Sequence, residues 1–482
     1  MNATPPKETG KSSVKKIDWS DFRDHLSTAE QSGRRKWVYP RQIDGRWFRW
    51  RTWFSWLLLA VMFAGPFVTI GGNPLLLMNI PERKFVVLGQ IFWPQDMIIF
   101  AVAMLVFLVG VFIFTAAFGR LWCGWACPQT VIMEMVFRKI EYLIEGDAPL
   151  QRELNRSPWT ADKIFKKVLK HGIFFALSFL IGNVLLSYII GWRELVQIIT
   201  DPPARHVAGL GFMIGFSLLF YGIFARFREQ ACTFICPYGR HQSVLLDENT
   251  ILVAYDYKRG EKRGPLRRGQ KFGERRFSGR GDCVDCNLCV SVCPTGIDIR
   301  NGVQMECVQC TACIDACDAV MDKTGSPRGL IRYASLNGIE RGEPLRFTPR
   351  LAGYGLVLAV LAAVFAVMVF TRADVEATLL RAPGSLFQQM PDGHYSNLYT
   401  VRVVNKTSRE LPVELRLENV AGSLRVMGGR LIVPPQKLLE NSVLVELDAP
   451  AMKSGTTAVV IGVYSNGRRL HTLKTSFLGP RN

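Results

Sequence analysis

Twelve cysteines are the residues of this chain best suited to chemistry, and their spacing indicates which chemistry. All of them lie between Cys123 and Cys317, in four groups with regular internal spacing. Such grouping is typical of metal ligation, whereas a disulfide framework would distribute cysteines through a small extracellular domain. We therefore expect these thiols to face a reducing compartment, where they stay available as ligands.

Eight of the cysteines form two quartets with the same spacing, C-x2-C-x2-C-x3-C. This spacing predicts two 4Fe-4S clusters, because the first three thiolates can wrap one cube while the fourth cysteine starts a helix that points toward the other cube. The crossed assignment gives the first cluster Cys283, Cys286, Cys289 and Cys317, and the second cluster Cys293, Cys307, Cys310 and Cys313. A pair of zinc sites is the alternative, and two identical quartets disfavour it.

With four cysteine ligands per cluster, no iron keeps an open position for a substrate, so we expect the clusters only to relay electrons. The spacing does not fix the direction of electron flow. The segment resembles bacterial two-cluster ferredoxins over about 40 residues. It departs from them at Asp318, which replaces the second proline and is expected to loosen the local turn without removing a ligand.

The other four cysteines form an internal repeat with the pattern C-x3-C-P. We expect both sulphurs of a pair to lie on one face of a helical turn, with the proline starting the next helix, so that the helix dipole lowers the thiol pKa. If the pairs converge, they could bind Cu(I) or a further cluster and would be the catalytic residues; the alternative is that small buried thiols only permit tight helix packing. The two motifs are Cys123 and Cys127 before Pro128, and Cys232 and Cys236 before Pro237.

Membrane helices are the elements that must position these thiols. Five runs carry no charged residue and are long enough to cross a hydrocarbon core of about 30 Å. A buried core helix is the alternative for any single run, and five such runs in one chain disfavour it. The runs are Trp53–Ile70, Met97–Phe118, Gly172–Gly191, Val207–Phe224 and Leu351–Phe370.

The distribution of basic residues predicts the topology. Residues 1–51 hold 12 Lys and Arg, the loop 72–95 holds two, the loop 119–170 holds nine and the loop 192–205 holds two. This alternation places the N-terminus inside, the C-terminus outside and every cysteine on the inner side. The first run is then an uncleaved signal anchor.

After residue 381 the sequence changes to short alternating segments such as 399–404, 412–417, 442–447 and 457–464, separated by turn residues. Roughly seven strands in about 100 residues predict an antiparallel immunoglobulin-like sandwich. The predicted fold is therefore multi-domain: a five-span helical bundle, a two-cluster ferredoxin-like insert and a C-terminal all-β sandwich. We divide the chain into a basic cytoplasmic segment (1–50), a four-span domain with both C-x3-C-P motifs (51–250), a basic linker (251–280), the two-cluster domain (281–325), a linker (326–350), a fifth transmembrane helix (351–371) and a periplasmic immunoglobulin-like domain (372–482).

Residues 258–280 carry ten basic and two acidic side chains. They form either a solvated linker beside an anionic membrane surface or a docking strip for an acidic electron donor. Nucleic-acid binding is disfavoured, because no base-stacking or groove-reading module accompanies the charge.

Together these features resemble the cytochrome c oxidase accessory protein family, also called FixG or CcoG. The segment 392–399 with Asn405 and Lys406 also resembles the start of that family's C-terminal domain. The resemblance implies a multi-pass protein of the bacterial inner membrane that reduces Cu(II) to Cu(I), as a cupric reductase, for assembly of a C-type haem-copper oxidase. It implies as partners a cytoplasmic electron donor, copper transport or chaperone proteins, and subunits of that oxidase.

Two other functions remain open from the residues alone. The chain could be a respiratory carrier that passes electrons between the quinol pool and another reductase. It could also be a scaffold in which the clusters only brace the fold.

Overall fold

The computed structural model describes residues 27–30, 32, 34–80, 84–87, 89–93, 96–266, 275, 277, 279–344, 348–382, 386–390, 393–407, 409–448, 450, 452 and 455–480, without the side chains of 240, 241 and 243. Most of the predicted N-terminal basic segment and much of the basic linker lie outside these residues, as does Asp392. The chain forms two compact units. One contains residues 1–68, 74–82 and 100–363, and the other contains 69–73, 83–99 and 364–482.

Within the described residues, four helices are long and apolar enough to cross a membrane. The predicted run Met97–Phe118 coincides with a helix, and the last run is a helix that starts two residues earlier. The third run is the apolar part of a helix that starts at Ala161, and the fourth continues through a π-helical turn. The four helices are Met97–Phe118, Ala161–Ile190, Val207–Phe227 and Pro349–Phe370.

The first predicted run does not form a helix over its whole length. The helix there is Arg46–Ala64, and Thr69–Ile70 is a short strand. The Gly65–Pro66 pair explains this end, because proline cannot continue a helix and Gly65 N–H already bonds to the Val61 carbonyl at 2.9 Å. The part after Arg51 is only about 20 Å long, so a fifth membrane span remains a prediction.

Short helical pieces follow the long helices, and some of them carry cysteines. Gly119, with φ of 56°, ends the helix Met97–Phe118 and lets the chain turn back. The α-helices of this unit outside the long ones are Leu121–Trp125, Pro128–Ile132, Arg138–Glu145, Ala148–Arg156, Trp192–Thr200, Pro237–Leu245, Tyr257–Gly260, Leu288–Ser291, Ala312–Thr324 and Leu336–Glu340. The π-helical turns are Met133–Phe137, Ile223–Phe227 and Ala231–Ile235, and the 3-10 turns are Pro203–Arg205 and Ile299–Asn301.

A buried ion-pair network fixes the ends of these helices. Glu141 accepts hydrogen bonds from Arg228 at 2.6 Å and from Lys170 at 3.3 Å. These three residues come from three different helical segments, so the network holds the start of Ala161–Ile190 against the chain that leads to Cys232. Loss of any one partner is costly, since a buried charge would be left unpaired.

The cysteine-rich segment is closed by an antiparallel strand pair, Leu252–Tyr255 with Ile331–Ala334. Ile251 N–H donates to the Ala117 carbonyl at 2.9 Å, which places this strand pair at the end of the helix Met97–Phe118. Asp315 accepts from the N–H groups of Trp47 and Phe48 at 3.1 and 2.7 Å. A carboxylate at a helix N-terminus satisfies its free N–H groups, so the first helix starts on the cysteine-rich segment.

The second unit contains a two-sheet β-sandwich. Side chains at every second position are fully buried, including Tyr399, Val401 and Val403, as expected for strands with one face in a core. The four strands predicted from alternation are present, and the sandwich has nine described strands where roughly seven were expected. One sheet has the order Gly422–Val426, Leu438–Leu447, Tyr395–Asn405, Val375–Arg381, with Gln388–Gln389 also on Tyr395–Asn405; the other has the order Leu431–Val433, Leu411–Leu417, Thr456–Ser465, Arg468–Leu478.

Residues 69–73 and 83–99, before and at the start of the helix Met97–Phe118, belong to the same unit as the sandwich. Asp96 is buried and bonds to Arg372 Nη2 at 2.6 Å and to Lys406 Nζ at 2.7 Å. The start of the helix Met97–Phe118 and the end of Pro349–Phe370 are thereby held together. The short strands before this helix are Thr69–Ile70, Asn73–Pro74, Leu76–Asn79, Lys84–Val87 and Gln90–Phe92.

Candidate metal centre

The two cysteine quartets surround two separate cavities, which we call the first and the second cavity. The first cavity is lined by the four cysteines of the first predicted cluster, together with the apolar side chains Val320, Met321, Leu330 and Ile331. The second cavity is lined by the four cysteines of the second predicted cluster, with Cys289 at its edge. Each cavity receives three cysteines from one quartet and the last cysteine of the other, which is the arrangement that the crossed assignment requires.

The backbone around both cavities has the same unusual conformation. The residues that flank the second cysteine of each quartet have positive φ: 56° for Asp285 and Asn287, 55° for Gln309 and 66° for Thr311. Each such non-glycine residue costs about 1 to 3 kcal/mol and persists only where the surroundings enforce it. Turns of this kind gather backbone N–H groups into a concave nest that suits an anionic group such as an iron-sulphur cluster. The residues present therefore fit a 4Fe-4S group in each cavity.

Arg300 fixes the loop of the first cavity. Its guanidinium is buried and donates to Asp285 Oδ1 at 2.6 Å and to Asn287 Oδ1 at 2.5 Å, while Asp298 Oδ2 accepts at 2.7 Å. The hydrogen bonds that Arg300 donates to the Asp298 carboxylate raise the pKa of Arg300, so the guanidinium stays charged. This clamp holds both left-handed residues of the first loop.

Burial controls the protonation of the thiols. It raises the pKa of Cys289 and Cys307 to about 12 and that of Cys310 to about 11. Without metal these thiols are neutral near pH 7, so metal binding must displace their protons. Cys286 is the exposed member of the first quartet.

Two local expectations about the quartets were wrong. The third cysteine of each quartet, and not the fourth, lies in the first turn of a helix: Cys289 in Leu288–Ser291 and Cys313 in Ala312–Thr324. Asp318 does not loosen a turn, because the second helix continues through it to Thr324. An aspartate keeps the N–H that a proline lacks, and its carboxylate accepts from Gly329 N–H at 2.9 Å.

The C-x3-C-P motifs form two similar turns, which we call the thiol turns (123–128 and 232–237). In each, the first cysteine lies in a short helical piece, the second is the N-cap residue of the next helix, and the proline is its first residue. Each proline therefore lies at its expected place, the start of the next helix. The two cysteines of each pair do not share one helical turn, because a break in the helix separates them.

The two thiol turns lie close together. Cys123 Sγ donates to Gln242 Oε1 at 3.5 Å, in the helix that starts at Pro237, and a Cβ added to Gly239 would meet both the Cys232 carbonyl oxygen and Arg120 Nη2. The predicted lowering of the pKa is wrong for the first cysteine of each turn: burial raises the pKa of Cys123, and it raises that of Cys232 to about 12. Within the described residues, no three His, Cys, Asp or Glu side chains are placed to hold one metal ion. Copper at the thiol turns therefore stays a prediction.

The first thiol turn packs directly on the loop of the second cavity. A Cβ added to Gly124 would overlap the carbonyl oxygen of Val308, so only glycine permits this approach. Cys123 and Cys310 belong to one buried cluster. Sequence reasoning did not find this contact, although a glycine directly after Cys123 was the available signal.

Comparison with known proteins gives the same organisation. A family model described as a 4Fe-4S dicluster domain matches residues 227–336, one described as a 4Fe-4S binding domain matches 100–146, and one described as an IG-like fold at the C-terminal of FixG matches 365–480. Protein RdxA of Cereibacter sphaeroides is 37% identical, over 80% of this chain and 83% of its own. Nitrogen fixation protein FixG of Rhizobium meliloti is 32% identical, over 86% of this chain and 87% of its own, and Protein RdxB of C. sphaeroides is 35% identical, over 79% and 81%.

The chain belongs to the FixG family. As a FixG-family member it is an integral membrane protein that carries iron-sulphur clusters and transfers electrons, with an immunoglobulin-like fold at its C-terminal end. The predicted resemblance to this family is confirmed.

Several buried arginines of this FixG-family chain were missed by the sequence reasoning. Arg275 was expected in a solvated or docking strip, but it is fully buried and donates to the carbonyl oxygens of Gly264 and Cys283 at 2.7 and 2.6 Å. Arg51, Arg120 and Arg300 also lie beside the cavities. Basic residues are common throughout the segments that contain these arginines, so the sequence contained no signal that distinguished them from exposed ones.

Proposed function

We propose that this chain carries electrons from a cytoplasmic donor through two 4Fe-4S clusters to the thiol turns, where Cu(II) is reduced to Cu(I) for assembly of a C-type haem-copper oxidase. The packing of Gly124 on the Val308 carbonyl carries this proposal, because it puts the first thiol turn in direct contact with the loop of the second cavity. The reaction balances as one electron from a reduced cytoplasmic donor to one Cu(II) ion.

The exposure of the two cavities supports a direction. Asp285, Cys286 and Asn287 of the first loop are exposed, whereas Cys310 of the second loop is buried against the first thiol turn. A donor can therefore approach the first cavity, and the second cavity faces the membrane domain. When bound, the clusters supply one-electron chemistry and nothing else.

The chain's own residues perform the other tasks. The left-handed residues and Arg300 shape the loop that a donor meets, and the apolar lining of each cavity excludes water. The thiol turns supply soft sulphur ligands, which favour Cu(I) over Cu(II). Because the thiols are not placed around one ion in the described structure, the proposal requires copper to draw the two turns closer.

The positions of the helix ends support the predicted topology. The ends at Phe118 and Phe227 lead to the thiol turns, and Arg350, near the start of the last helix, lies 3.5 Å from Asp247 in the same unit. The opposite ends, at residues 97 and 370, belong to the unit of the β-sandwich. We propose that the cysteine side is cytoplasmic and that the sandwich is periplasmic, with Arg46–Ala64 as a fifth span.

The experiment compares Cu(II) reduction by the anaerobically purified full chain and by a variant with Cys123, Cys127, Cys232 and Cys236 replaced by serine. We expect the variant to lose at least about nine tenths of the copper reduction while keeping the visible spectrum of its clusters, since only the copper ligands are removed. Cys286→Ser is the matched control, which should lose iron and activity together. Full copper reduction by the four-serine variant would contradict the proposal.

A respiratory carrier between the quinol pool and another reductase is the second function. The exposed first loop is equally compatible with a respiratory role, because a respiratory redox partner can dock on it in the same way. Deletion of the gene separates the two functions. Loss of oxidase activity that added copper restores favours assembly, and loss of one reductase flux favours respiration.

A further inference from the structure

Two buried arginines lie between the second cavity and the thiol turns. Arg51 is 2% exposed and Arg120 is 5% exposed, so both guanidinium groups are removed from water. Neither forms an ion pair with a carboxylate in the part of the chain that the structure describes. A buried charge without a counter-ion is costly, and it is retained where an anionic group compensates it.

The Arg120 side chain reaches both sites. Its Nη1 donates to the carbonyl of Met305, two residues before Cys307. A Cβ added to Gly239 would lie 3.1 Å from Arg120 Nη2 and would also overlap the Cys232 carbonyl oxygen, so the guanidinium lies beside the second thiol turn. Its Nε is buried and has no hydrogen-bond partner.

Arg51 lies on the other side of the contact between the sites. Its Nε donates to the Gly124 carbonyl at 2.7 Å, and its Nη2 is buried without a partner. Cys123, next to Gly124, and Cys310 belong to one buried cluster, so Arg51 lies beside both sites.

The first cavity has a different charge environment. Arg300 is neutralised there by Asp298 at 2.7 Å and Asp285 at 2.6 Å. Near the second cavity, Glu134 pairs with Arg138 at 2.6 Å, and Glu306 accepts from the backbone N–H of Ser27 at 2.8 Å and not from Arg51 or Arg120. Arg51 and Arg120 therefore lie at the second cavity and the thiol turns without the carboxylate partners that Arg300 has at the first cavity.

We propose that Arg120, assisted by Arg51, is a positioning residue for electrons: its buried charge raises the reduction potential of the second cluster and favours electron arrival at the thiol turns. Reduction adds one negative charge, and a nearby cation in a low-dielectric interior stabilises that charge. Because Arg120 contacts both sites, the same charge stabilises the electron before and after transfer. The inference rests on cluster binding in the proposed function, but not on copper as the acceptor.

The test is an anaerobic redox titration of the full chain, followed by electron paramagnetic resonance, without copper. Arg120→Gln should make one-electron reduction of the second cluster about tenfold less favourable, a shift of about 59 mV to lower potential. Arg120→Lys should recover most of this shift, because it keeps the charge. The second cluster is identified as the transition that persists in Cys286→Ser, and Arg328→Gln, which removes an exposed arginine paired with Asp322, should leave both transitions unchanged.

Unchanged potentials in Arg120→Gln with full iron content would overturn the proposal, as would an equal shift in Arg328→Gln. If Arg120→Gln loses iron, its potentials cannot be compared with wild type, and the variant Gln242→Glu tests the proposal instead. Gln242 is fully buried and its Oε1 accepts from Cys123 Sγ at 3.5 Å, so a carboxylate there should place a negative charge beside the first thiol turn, oppose the charge of Arg120 and lower the same potential. An unchanged potential of the second cluster in Gln242→Glu would also overturn the proposal. The potentials of both variants are measured without copper, so they do not depend on copper reduction.

Discussion

At the scale of single residues, burial and three arginines from distant segments set the environment of the predicted cysteine ligands. Ligand spacing is local, so two quartets and their crossed assignment follow from residue order alone. Arg51, Arg120 and Arg300 come from segments far apart in the sequence, and only the fold brings them to the cavities. The pKa of Cys123 and Cys232 was predicted wrongly for a related reason, since burial outweighs the local helix dipole.

Arg300→Ala tests the clamp on the first loop. The variant loses the hydrogen bonds that hold Asp285 and Asn287, so the left-handed backbone is no longer enforced. We expect it to retain about four of about eight iron atoms, with the second cluster intact. Iron and sulphide analysis measures this, and Arg328→Ala is the control that should keep all of the iron. Full iron content in Arg300→Ala would show that the clamp is not needed.

At the scale of elements, the packing of the first thiol turn on the second cavity is the feature that links the two sites. The sequence showed both motifs and their similar positions after long helices. It did not show the contact, because contact between turns depends on how the helices pack. The apolar run also predicted too long a first helix, although the Gly65–Pro66 pair in the sequence indicates where the helix ends.

Gly124→Ala tests the contact between the sites. Its Cβ would overlap the Val308 carbonyl oxygen, so the turn and the loop must move apart, at a cost of about 1 to 3 kcal/mol. Copper reduction should fall several-fold, while dithionite still reduces both clusters. Gly110→Ala is the matched control, because a Cβ at that helical glycine meets no atom within 4 Å. Equal activity of the two variants would contradict the assigned route.

At the scale of the whole molecule, apolar runs predicted the long helices, and alternation predicted the β-sandwich. The junction at Asp96 was not predictable, because it joins residues 276 and 310 positions apart in the sequence. Burial raises the pKa of Asp96, but the hydrogen bonds from Arg372 and Lys406 outweigh it, so the net pKa is below its usual value. A carboxylate with a lowered pKa stabilises the fold above its unfolded pKa of about 3.9 and loses this effect as the pH falls further.

Asp96→Asn should therefore lower the free energy of unfolding at pH 7 by about 3 kcal/mol, because two cations lose their buried partner. The loss should become smaller as the pH falls below about 3.9 toward the lowered pKa of the folded state, where the wild-type carboxylate also becomes protonated. Thermal unfolding of the full chain in detergent at both pH values measures this. Glu414→Gln, which removes an exposed carboxylate of the same unit, is the control. A difference between Asp96→Asn and wild type that does not depend on pH would contradict the assigned ion pair.

The topology has its own test. A reporter that is active only outside the cell should work when fused after residue 482 and fail when fused after residue 250, because an odd number of spans separates the two points. A reporter that is active only in the cytoplasm should give the reverse result. Activity of both fusions on the same side would contradict the assigned orientation.

The most direct test of the central claim is the iron and acid-labile sulphide content of the full chain purified without oxygen. Two cubes bound to the eight cysteines predict about eight iron and about eight sulphide per chain, with about half lost in Cys286→Ser. About twelve of each would indicate a further cluster at the thiol turns. A colourless protein without iron, prepared in this way with its fold intact, would contradict the account.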